Sequence, residues 1–115
     1  MNIGIIYELE CLKIIHSMAS VYILYSKNLD CCYTGSCLSL NDRLVEHEAK
    51  AYTNSFTAKT DDWELFYSID NLPYQLARAI EKHIKRMKSK KYIENLKKYD
   101  EISIKLIALY ENEAG

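Results

Sequence analysis

The chain has little that would loosen or break a backbone: one proline and three glycines among 115 residues. That scarcity excludes collagen-like and Gly/Pro-rich disordered chains, and no polar low-complexity tract is present either. There is no long apolar run. The patchily apolar stretch from Ile3 to Ile15 is broken by Glu8, Glu10 and Lys13 and has no basic lead-in, so it suits neither a signal peptide nor a membrane span. Cys11, Cys31, Cys32 and Cys37 form no CxxC pair, and no histidine follows them at finger spacing. On a strand, the vicinal Cys31 and Cys32 would point to opposite sides, which suits a metal cluster badly. Free thiols and a cytoplasmic location are the expectation.

What is present is charge, unevenly placed. The formal net charge is -1, with 15 Lys/Arg against 16 Asp/Glu. Nine of the basic residues and only two of the acids, Glu81 and Glu94, fall between Arg78 and Lys98, so that segment is +7 and the remainder -8. Such a split is expected of a protein with one anion-facing surface.

The apolar patterning reads as a mixed domain. "VYILYS" (Val21 to Ser26) is β-branched and aromatic, and the turn-prone Lys27 to Asp30 leads to "CCYTG", a second strand closed by Gly35. Ser39 then stands three residues ahead of Asp42 as a helix cap, and Arg43 and His47, four apart, share one side of the helix that follows. A loop from Ala51 to Asp62 precedes a third strand, Trp63 to Ile69. Asp70 or Asn71 is a possible cap and Pro73 a fitting first-turn residue for a helix repeating Leu76, Ile80, Ile84 and Met87 at helical spacing. Its other face is basic. A further helix carries Tyr92, Ile93 and Leu96, and "ISIKLIAL" (Ile102 to Leu109) fits a strand or a helix equally. The order ββαβαα implies an α+β fold, a small three-stranded and mainly antiparallel sheet flanked by helices. The expected organisation is an extension over residues 1–20, a domain over 21–96 and a second extension over 97–115.

In this order the residues carry a resemblance. "SVY" ending at Tyr22, "YTG" from Tyr33 to Gly35 with Ser36 after it, "RLVEH" from Arg43 to His47, and Glu81 within "ARAIEKHIKRMKSKK" together resemble the GIY-YIG nuclease family, particularly its small single-domain bacterial members. Each motif alone is weak, but the ordered set is specific. "GIIY" (Gly4 to Tyr7) is a decoy, far from "YTG" and followed by acidic "ELE" rather than a turn. The chain departs from the family pattern at Ser20, in place of glycine, and at Thr34, in place of isoleucine.

The resemblance implies a catalytic set of Tyr22, Tyr33, Arg43, His47 and Glu81, with Tyr22 taking the proton of the attacking water and Tyr33 positioning water or phosphate. The chemistry is consistent with those residue types. Cutting a phosphodiester needs an activated water, a cation on the phosphoryl oxygens and positive charge where the transition state gathers negative charge. Glu81 is a hard oxygen donor suited to one Mg2+ or Mn2+ ion. Its plainer reading is an i,i+4 ion pair with Lys85. Arg43 offers a planar fork for phosphate, or else a surface pair with Asp42, Glu46 or Glu48. His47 would assist as a proton shuttle or phosphate contact. Gly35 and Ser36, with Lys82, Lys85, Arg86, Lys88, Lys90 and Lys91, would contact the nucleic acid, the lysines and arginine tracking its backbone without reading sequence.

The expected activity is therefore a metal-dependent DNA endonuclease, acting as a monomer or homodimer and with no membrane partner. The alternatives are a catalytically silent nucleic-acid-binding domain, or a protein-interaction module whose acidic portion attracts a basic partner.

Overall fold

Two apolar runs separated by four turn residues form a hairpin. In a computed structural model, which describes residues 19–48 and 56–114, strand β1 (Ala19–Ser26) pairs antiparallel with β2 (Cys31–Cys37) across a turn at residues 27–30. Asp30 ends that turn with a positive φ of 48°, a conformation that Asp tolerates better than most residues. The base of the turn is clamped from a distance. Asp62 Oδ1 accepts from Ser26 Oγ at 2.6 Å, and Asp62 Oδ2 from the Asn28 amide at 2.8 Å.

Helix α1 (Leu40–Glu48) follows, with Ser39 Oγ accepting the Asp42 amide at 3.4 Å as the expected cap. A short 3-10 turn (Phe56–Lys59) leads to β3 (Glu64–Leu72), which runs antiparallel to β1 on its free side, so the sheet order is β2-β1-β3. Asp70 and Asn71, read as caps, belong instead to β3: Asp70 accepts from Ser20 and Ser68, and Asn71 turns the chain with a φ of 60°. Pro73 occupies the N-cap position of α2 (Tyr74–Met87), where its missing N–H costs nothing. Lys88 and Ser89 interrupt the helical path, and Ser89 Oγ caps α3 (Lys90–Lys98) by accepting the Tyr92 amide. The segment that fitted strand and helix equally is helical, giving α4 (Asp100–Ala114) as one element beyond the expected order.

The period-2 alternation of β1 divides the molecule. Ala19, Val21 and Ile23 face a core made with Ile69 and Leu72 of β3, Leu76, Ala77, Ile80 and Ile84 of α2, Leu96 of α3 and Leu106 of α4. Burying a Leu or Ile side chain there stabilises by about 1.5–3 kcal/mol each. Tyr67 of β3 and the buried Ser103 of α4 share a hydroxyl hydrogen bond of 2.7 Å across this core. On the opposite face, Tyr22 and Leu24 pack with Cys37, Tyr33, Leu40, Leu44 and Trp63. Among the described residues no helix is long and apolar enough to cross a membrane. Residues 1–18, with the apolar stretch and Cys11, lie outside the described residues.

Candidate active site

Several of the candidate residues gather around β2, the edge strand of the sheet. The register sets Tyr22 opposite Gly35 and Tyr33 opposite Leu24, so the two tyrosines are diagonal neighbours on one face and not a direct pair. Their ring centroids are 6.3 Å apart at an interplanar angle of 41°. Tyr33 also meets Trp63 edge to face, with centroids 6.5 Å apart.

Tyr22 is only 1 % exposed. Burial, and next the neighbouring Tyr33, push its phenol well above the ordinary tyrosine range, while Arg43 of α1 acts in the opposite direction. The hydroxyl is thus held neutral, with the charge of Arg43 opposing the effect of burial only in part. Arg43 itself pairs with Glu46 through Nε at 3.4 Å, the local ion pair its plainer reading foresaw. With Ser36, Cys37 and Tyr74 it lines a cavity of about 270 Å³. His47 lies on α1, one turn beyond Arg43; its side chain lies outside the described residues.

Glu81 comes from the opposite side of the sheet, carried by α2. Ser36 Oγ donates to Glu81 Oε1 at 2.5 Å, which ties the helix carboxylate to the strand that bears Tyr33 and Gly35. The carboxylate is flanked by two cations of its own helix, Lys85 Nζ at 2.7 Å from Oε2 and Arg78 Nε at 3.8 Å from Oε1. Its side chain is 14 % exposed. Lys85 Nζ also stands 5.9 Å from the centroid of the Tyr33 ring. So the structure brings Tyr22, Tyr33, Gly35, Ser36, Glu81 and Lys85 together directly, and Arg43 electrostatically.

The remaining basic residues spread over two grooves that share Lys85. One, of about 780 Å³ between α2 and α4, is lined by Arg78, Lys82, Lys85, Arg86 and Tyr110. The other, of about 470 Å³ between β2 and the α2–α3 junction, is lined by Tyr33, Thr34, Lys85, Lys88 and Lys90 among others. Lys90 is paired with Asp30 at 3.0 Å, and Lys91 is exposed beside it on α3. Arg78 was not singled out in the sequence, although its place three residues before Glu81 puts it on the same helical face. The pairing of Ser36 with Glu81 could not be read from spacing, because it joins residues 45 apart.

Among the described residues no three His, Cys, Asp or Glu side chains cluster as a metal cage, and Cys31, Cys32 and Cys37 are free thiols. Burial pushes the Cys32 and Cys37 thiols up, away from thiolate character.

No curated protein and no solved structure matches the chain. The family model of the GIY-YIG catalytic domain matches residues 18–98, a span that covers β1 through α3 and every one of these site residues. The chain therefore belongs to the GIY-YIG nuclease family.

Proposed function

We propose that this protein is an endonuclease that hydrolyses DNA phosphodiester bonds with the help of one divalent cation held by Glu81. The observation that carries the reading is the Ser36–Glu81 hydrogen bond of 2.5 Å, which fixes a helix carboxylate to β2, the strand that bears Tyr33 and pairs with the strand of Tyr22.

The donor set fits such an ion. Glu81 Oε2 already receives a positive charge, from Lys85 at 2.7 Å, and a single carboxylate suits Mg2+ or Mn2+, which keeps several of its waters when so bound. The bound ion supplies charge to the phosphoryl oxygens and the leaving group. Arg43 offers its guanidinium to the phosphate, where negative charge accumulates. Tyr22 accepts the proton of the attacking water. Because burial disfavours its phenolate, this transfer is coupled to attack and does not start from a standing anion. Tyr33 orients water or phosphate in the groove it lines with Lys85, and His47 assists from α1. Gly35 and Ser36 serve the substrate through Tyr22 and Glu81, which they contact. Lys82, Lys85, Arg86, Lys88 and Lys91 track the DNA backbone from exposed positions, with Lys90 beside them. The free thiols suit a reducing compartment such as the cytoplasm.

The test is cleavage of labelled linear, nicked, flap and four-way-junction DNA with Mg2+ or Mn2+, comparing wild type with Glu81→Ala and Tyr22→Phe, each checked for fold by circular dichroism. Metal-dependent cutting lost in both folded variants is expected. Undiminished cutting by Glu81→Ala would overturn the assignment, and binding without cutting by wild type across metals and substrates would make this a silent nucleic-acid-binding domain.

A further inference from the structure

We infer that Lys85 is a built-in substitute for the catalytic cation, so that DNA and divalent metal each promote the binding of the other. The inference rests on the function proposed above and concerns how that site is loaded.

Glu81 has its two oxygens differently engaged. Oε1 is held by the Ser36 hydroxyl at 2.5 Å, a contact that anchors the carboxylate to β2. Oε2 faces Lys85 Nζ at 2.7 Å, and the Lys85 side chain is 51 % exposed against 14 % for Glu81. The carboxylate is fixed and its cation is the solvent-facing partner. A divalent ion and an ammonium group compete for Oε2, since two positive charges at contact distance repel. Metal entry therefore displaces Lys85, and a displaced lysine is stabilised by a new anion.

The geometry provides a place for that anion. Lys85 lines both cationic grooves, the one between α2 and α4 and the one between β2 and the α2–α3 junction. A phosphodiester in either groove lies within reach of the same ammonium group. DNA thus draws Lys85 from Glu81 and opens Oε2 to the metal. By linkage the bound metal strengthens DNA binding by the same factor. Without DNA the site holds its own lysine and takes up metal less readily.

The experiment uses the full chain without DNA and follows free Mn2+ by electron paramagnetic resonance. Lys82→Ala serves as the control, because it removes the same charge from the same face of α2 without an ion pair to Glu81. Lys85→Ala is expected to tighten Mn2+ binding about two- to fivefold over wild type, the range of an exposed ion pair. Lys82→Ala is expected to change it clearly less, and Glu81→Gln to lose it. A second measurement needs no metal. In EDTA, Glu81→Gln should tighten binding of a fluorescent DNA duplex more when Lys85 is present than in a Lys85→Ala background. Equal shifts for Lys85→Ala and Lys82→Ala, or an effect of Glu81→Gln that ignores Lys85, overturn the inference and leave the proposed function standing. If neither wild type nor Lys85→Ala takes up Mn2+ without DNA, the inference falls, while the proposed function still rests on the cleavage assay.

Discussion

The Tyr22 ring occupies the space in which a side chain on Gly35 would stand. A Cβ built on Gly35 would lie 2.5 Å from the Tyr22 hydroxyl oxygen and 2.6 Å from its Cζ, closer than non-bonded atoms approach. Glycine is required here by the ring and not by the backbone, which has no positive φ at any described glycine.

Gly35→Ala forces one of the two to move, and Tyr22 is enclosed by Leu24, Cys37, Leu40, Leu44 and Trp63. The expected cost is about 1–3 kcal/mol, the usual penalty of overpacking, with cleavage reduced because the phenol is displaced. Thermal unfolding and a cleavage assay on the same preparation check both. A variant as stable and as active as wild type would show that the ring relocates freely.

Ser36→Ala removes the strand's hold on Glu81 while leaving the carboxylate itself in place. A hydrogen bond to a charged group contributes about 1.5–3 kcal/mol. Lys85 and Arg78 still flank the group, so a roughly tenfold loss in cleavage, about 1.4 kcal/mol, is the expectation. The melting temperature should fall by several degrees as well. Mn2+ affinity and cleavage rate measured together decide the matter, and unchanged values in both would mean that the bond does not position Glu81.

Lys88 sits at the end of α2 in the left-handed conformation, with φ 47° and ψ 35°. A side chain there costs about 1–2 kcal/mol relative to the ordinary helical region, and glycine avoids much of that. Lys88→Gly should therefore raise the unfolding free energy by about 0.5–1 kcal/mol. It should also weaken DNA binding and lower its salt dependence, since one phosphate contact is lost. Denaturant unfolding paired with a salt titration of DNA binding reads the two opposite effects, and stability that falls would contradict the first.

The docking of α4 on α2 is expected to weaken in acid. His83 Nδ1 and the Tyr110 hydroxyl are 2.8 Å apart, and Arg86 Nη2 donates to that hydroxyl at 2.9 Å. In the neutral tautomer that leaves Nδ1 unprotonated, the hydroxyl donates to that nitrogen, a contact that protonation of the ring would remove. Burial, and next Arg86, lower the His83 pKa from its ordinary 6.5. The unfolded chain accordingly binds this proton at a higher pH than the folded one. Stability is full above about 6.5 and declines as pH falls below it. Melting curves between about pH 7 and about pH 5 should show the decline, and His83→Gln should flatten it. An unaltered slope in that variant would assign the acid sensitivity elsewhere.

Much of the fold was legible because its signals are local. The turn at Lys27 to Asp30 and the Leu76, Ile80, Ile84 stripe formed as spacing predicted, and the loop length even contains the register. Four loop residues pair Ser26 with Cys31, hence Tyr22 with Gly35 and Leu24 with Tyr33. The last helix was ambiguous for a physical reason. Ile104 and Leu109 are 64 % and 52 % exposed while Ser103 is buried, so apolar residues do not mark its buried face. The pairing of Ser36 with Glu81 and the two grooves meeting at Lys85 depend on how α2 crosses β2, which no periodicity encodes.

Ala19, Val21 and Ile23 look into a hydrocarbon core, while Tyr22 looks the other way, into the site. Deleting one residue within β1 would for that reason not be a local injury. It would act on the protein as a frameshift acts on a gene: every later side chain of the strand would change sides, and the two halves of the molecule would each receive the residues meant for the other.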